Sequence, residues 1–112
     1  MNNFIKAEWV AALRSKEYQQ GGDSLKDAAG ALCVLGVLCE LYAEQHGVPW
    51  VEDANGIFDT SFLGETEVLP KEVSEWAELD SNPDLGGTLV VDLNDYDKLT
   101  FKEFAVLIED KL

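Results

Sequence analysis

The stretch ALCVLGVLCELY, residues 31–42, decides the fold: ten of its twelve residues are apolar, and only Gly36 and Glu40 interrupt it. It is too short to cross a membrane, which takes roughly 20 apolar residues. It is too apolar to lie on a surface. It therefore predicts the central buried helix of one small domain, over residues 32–46. Glu40 and Glu44, four residues apart, mark its one wet edge. Gly47 is placed to supply a left-handed C-terminal cap, and Pro49 blocks continuation. Gly36 has no side chain, so another element can come close there. Leu35, Leu38 and Leu41 should dominate stability, at roughly 1.5–3 kcal/mol for each fully buried side chain.

Ahead of this segment, Ile5, Trp9, Ala12 and Leu13 share one helical face and predict a helix over residues 3–14, capped by Asn2 or Asn3. Residues 24–27 read as a short extended piece and residues 28–30 as a turn. Behind it, residues 50–69 read as a β-hairpin or small meander, turning at Ala54-Asn55-Gly56. Pro70 opens a third helix, with Val73, Trp76 and Leu79 inward and Glu72, Glu75 and Glu78 outward. The run TLVVDL, residues 88–93, reads as a strand. A last helix follows Thr100, which forms a capping box with Glu103 and precedes the stripe Phe101, Phe104, Ala105, Ile108 and Leu112. Together these elements predict an α+β single domain over residues 1–112. A central buried helix and three further helices would pack on a small antiparallel sheet.

The formal net charge is −14, and it is unevenly spread: residues 48–112 hold sixteen acidic and four basic residues. No basic stripe can neutralise phosphates, so no nucleic acid is expected as partner. An anionic membrane surface would repel the chain. The acidity reads either as solubility charge or as a face for a basic protein, the second including imitation of DNA. The opening residues lack a basic leader before an apolar run, so no secretion signal is expected. Cys33 and Cys39 lie six apart on the predicted helix, about 600° of turn and roughly 9 Å of rise, which forbids a mutual disulfide. Free buried thiols fit a reducing, cytoplasmic setting.

No motif for catalysis, a cofactor or a metal emerges, so the reading leans away from an enzyme. The segment DLNDYDKLTFKE, residues 92–103, matches a calcium loop at Asp92, Asn94, Leu99 and Glu103 but departs from it at Tyr96 and Asp97. A turn rich in Asp and Asn, leading into a capped helix, is preferred. His46, the single histidine, reads as helix-end stabilisation or plain surface exposure rather than catalysis. The two cysteines read as core packing.

Three segments, WVAALRSKEYQQ at 9–20, LCVLGVLCELYAEQHG at 32–47 and LPKEVSEWAEL at 69–79, carry a family likeness, supported by LNDYDKLTFKEFAVLIEDKL at the end. In order and spacing the chain resembles a family of small uncharacterised proteins encoded by tailed bacteriophages, including marine ones, and by bacterial genomes. The resemblance implies a phage-like origin, an accessory role and action in the cytoplasm of a bacterial host. It names no site residue. Two functions are expected to compete. In the first, the chain binds a host or phage protein through Glu65, Glu67, Glu72, Glu75 and Glu78. In the second, it holds a small molecule in a pocket between the central helix and the hairpin, lined by Tyr42, Trp50 and Phe58. Homo-oligomer formation is a third option.

Overall fold

The computed structural model describes residues 1–52 and 60–112. Its first helix, α1 (Asn3–Arg14), starts where Asn2 Oδ1 accepts from the backbone N–H of Phe4 at 2.9 Å and Ile5 at 3.1 Å. Two of the orphan donors of a helix start are satisfied this way. The face carrying Ile5, Trp9, Val10 and Leu13 is buried. Trp9 lies deepest, and its indole Nε1 donates to the Val34 carbonyl at 3.0 Å.

The apolar rod is α2 (Val34–His46), with Val34, Leu35, Val37, Leu38 and Cys39 wholly out of solvent. Leu41 is only half-buried, so two of the three expected leucines belong to the deep core. The helix starts two residues later than its apolar pattern. Leu32 is held in backbone pairing instead: its N–H donates to the Gln19 carbonyl at 2.9 Å, and its carbonyl accepts from Gly21 at 2.8 Å. The expected close approach at Gly36 is present. A Cβ there would stand 1.9 Å from the Leu25 carbonyl oxygen. The extended segment through Lys26 thus lies directly on the helix, followed by a turn in which Asp27 Oδ1 accepts from Ala29 and Ala31, both at 2.9 Å.

Around α2 stand α3 (Lys71–Ala77) and α4 (Val90–Asp95), together with α1, while α5 (Phe101–Lys111) packs along α1. The capping box at α5 is formed, with Thr100 and Glu103 bonding to each other's backbone N–H. Phe101, Phe104, Ala105 and Ile108 make its buried stripe.

The α+β expectation is corrected: the fold is helical. Among the described residues there is no sheet, only isolated bridges such as Val51 opposite Ser61 and Phe62 opposite Glu65. The apolar pairs at 50–51 and 62–63 are too short to sustain a ladder, and two strands alone are marginal in water. Their aromatic members pack toward α2 instead. The hairpin turn at Ala54-Asn55-Gly56 falls outside the described residues.

The run at 88–93 is also corrected, because its last four residues open α4. Two non-local bonds override its β-branched character. Asn82 Oδ1 accepts from Val91 N–H at 3.2 Å and serves the first turn, while Val90 N–H reaches the Pro83 carbonyl at 2.9 Å. A helical period then puts Val90 and Asn94 on one buried face. Among the described residues no helix is long and apolar enough to cross a membrane.

Candidate functional site

The N-terminal end of α2 is a polar junction inside an otherwise apolar core. Cys33 is its N-cap, with Sγ accepting from Gly36 N–H at 3.4 Å. Val34 N–H donates to Oδ1 of Asn94, sixty residues away, at 3.3 Å. Asn94 is buried and fully engaged. The same Oδ1 accepts from Gln20 Nε2 at 3.1 Å, and Nδ2 donates to the Gly21 carbonyl at 2.9 Å and to Asp95 Oδ1 at 3.0 Å. Asp95 Oδ1 also accepts from Asp23 N–H at 2.9 Å. This network clips the 20–24 loop, the start of α2 and the end of α4 together.

Beside the junction lies a cavity of about 210 Å³. Four carboxylate residues line it, Asp23, Glu67, Asp92 and Asp95, with Ser24, Cys33 and Asn94 among its other walls. Ser24 is 4% exposed, and its hydroxyl is the one buried side-chain polar atom among the described residues without a hydrogen-bond partner. Burial pushes the Cys33 thiol up to about 11, against the opposing pull of the Gly36 N–H. Cys39 is raised further by burial. Both thiols are free and buried, and at neutral pH neither is a thiolate nucleophile.

The five expected contact glutamates are all exposed, but the structure divides them. Glu67 belongs to the cavity just described. Glu75 and Glu78 line a separate open groove of about 500 Å³, together with Asp80 and Asp84. Glu72 is on the first turn of α3, and Glu65 sits in the tight turn opposite Phe62. Lys71 Nζ lies 3.8 Å from Glu75, an exposed pair of little energetic weight.

Rings fill the space expected between Tyr42 and Trp50. Tyr42 stacks on His46 at 4.1 Å and meets Trp76 and Phe62 edge-on at 5.2 and 6.2 Å. Trp50 packs on Phe62 at 4.7 Å, donates its Nε1 to Glu40 at 2.6 Å and lies under Lys26 Nζ at 4.9 Å. The third pocket residue, Phe58, lies outside the described residues. His46 sits in the last turn of α2 with Nδ1 3.1 Å from the Tyr42 carbonyl, the helix-end position expected for it.

The calcium-loop pattern does not assemble, because Glu103 is spent on its capping box with Thr100 and Asn94 on the α2 junction. Among the described residues no three His, Cys, Asp or Glu side chains converge to hold a metal ion. The residues that sequence reasoning missed are Asp23, Ser24 and Asp95. Asp23 and Asp95 meet across 72 positions, and Ser24 joins them only through the fold, so no local spacing signals the set. Asp92 and Asn94 were visible only as part of the calcium-like pattern.

A family model described as a domain of unknown function, DUF8296, matches residues 1–112. The chain belongs to that family. No curated protein and no solved structure matches it.

Proposed function

We propose that this protein is an acidic binding module that acts by engaging a basic surface of another protein of the host or phage. The observation that carries the reading is the exposed carboxylate set on and around α3. Glu75, Glu78, Asp80 and Asp84 share one open groove whose lining holds no lysine or arginine. Lys71 lies 3.8 Å from Glu75 and Met1 is also on the lining, so the groove carries an excess of negative charge rather than four bare carboxylates, and that excess attracts and orients a cationic partner, speeding encounter at low salt. The proposed place of action is a bacterial cytoplasm, supported by two free buried thiols that need no oxidising compartment.

The rival pocket would need room between Tyr42 and Trp50, where the Phe62 ring packs against both. The test is affinity capture from bacterial lysate, using the native chain and a Glu75→Lys/Glu78→Lys variant with an unchanged circular-dichroism spectrum. A basic protein retained by the first and lost by the second is the expected result. An identical set of captured proteins would overturn the acidic-surface reading.

A further inference from the structure

We propose that the cavity at the N-terminal end of α2 is a seat for one primary ammonium group. The source named, a lysine side chain of the bound partner, rests on the reading above; the seat itself does not. Its walls carry Asp23, Glu67, Asp92 and Asp95, and no lysine or arginine among the described residues forms an ion pair with any of them. The positive end of the α2 dipole also points here, and it favours an anion. That dipole amounts to roughly half a charge, against four carboxylates, so the sign of the site is set for a cation.

The cavity's second feature is Ser24. The residue lines the cavity and is only 4% exposed, and its hydroxyl is buried without a partner. An unmet buried polar group is destabilising, and the cost disappears when a donor arrives. Asn94 cannot relieve it, since both ends of its amide are already bonded.

Two properties select an ammonium over a metal ion. The carboxylates surround a space rather than a point, and among the described residues no three ligands converge on an ion. An ammonium carries three donors on a wider radius, enough for Ser24 Oγ and two carboxylates. The volume of about 210 Å³ is under the roughly 300 Å³ where pockets for drug-sized ligands begin. It suits a single side-chain end.

The test uses the full chain, ¹⁵N-labelled, titrated with Nα-acetyl-lysine methylamide, its trimethylated counterpart, the arginine equivalent and a lysine-rich peptide. The expected result is saturable shifts at the amides of Ser24, Asn94 and Asp95 with the lysine probe. Ser24→Ala should weaken that binding about ten-fold, as the loss of a charge-assisted hydrogen bond does. The same change removes an unmet hydroxyl, so urea denaturation should show Ser24→Ala no less stable than the native chain. Asp92→Asn should weaken binding as well.

Equal binding of the trimethylated or arginine probes, or equal binding by Ser24→Ala, would overturn the seat, because mere charge attraction would then explain the shifts. The failures are separable. If the peptide binds and Glu75→Lys/Glu78→Lys abolishes it while Ser24→Ala does not, the seat fails and the acidic module stands. If the lysine probe binds through Ser24 and the peptide does not bind at all, the seat stands and the protein-partner reading fails.

Discussion

At its C-terminal end α2 is closed by its own neighbours. Gly47 turns left-handed at φ +67°, its N–H and that of Val48 return to the Ala43 carbonyl, and His46 lies against Tyr42 one turn back. At its N-terminal end the closure comes from far away. Asn94 reaches Val34 from α4, the Leu25 carbonyl presses on Gly36, and Cys33 is the single local contributor. The first arrangement needs a handful of consecutive residues. The second needs the 20–27 segment and α4 already in place, so it links local order to tertiary assembly.

If that contrast is right, damage at the N-terminal end should cost more. The largest effect is expected from Gly36→Ala. Its new methyl would meet the Leu25 carbonyl oxygen at 1.9 Å, which backbone must move to relieve. Overpacking of this kind should destabilise the fold by about 3 kcal/mol or more, read as a lower guanidinium midpoint. Next comes a paired comparison. Asn94→Ala strands the N–H of Val34 and the Gly21 carbonyl, while Gln20 keeps the Leu99 carbonyl, and should cost about 2–3 kcal/mol. Gly47→Ala only forces a side chain into the left-handed region and should cost about 1 kcal/mol. Equal losses from these two changes would break the contrast.

The smallest effect at neutral pH is expected from Cys33→Ser, about 0.5 kcal/mol or less, because a serine hydroxyl also caps. Its use lies at alkaline pH. The thiol is raised from 9.0 to about 11 in the native state. Its contribution is therefore intact below pH 9 and is lost as pH rises toward 11, where the unfolded chain releases its proton first. Urea midpoints measured across that window should fall for the native chain and fall less for Cys33→Ser.

The same contrast separates what the sequence disclosed from what it concealed. The α1 helix is found over the expected residues because its cap and its stripe are local. Gly47 and the Thr100–Glu103 box were legible for the same reason. Residues 88–93 misled because their β-branched run carries no sign of Asn82, the side chain that starts α4 from outside. The sheet was inferred from apolar pairs whose aromatic members, Trp50 and Phe62, instead pack toward α2. Among candidate site residues, the exposure of the five glutamates followed from charge and periodicity. Their division between a cavity and a groove did not, because Glu67 meets Asp23, Asp92 and Asp95 only through the fold. Family membership adds no residue roles to this.

The pairing of α1 with α5 has a consequence for synthesis on the ribosome. α1 emerges well before α5, the helix it packs along, and Trp9 waits meanwhile beside α2. A nascent chain therefore carries the greasy face of α1 uncovered until α5 has cleared the exit tunnel. Closure waits for α5, and the interval before it appears is when such a chain is most exposed to chaperones and proteases.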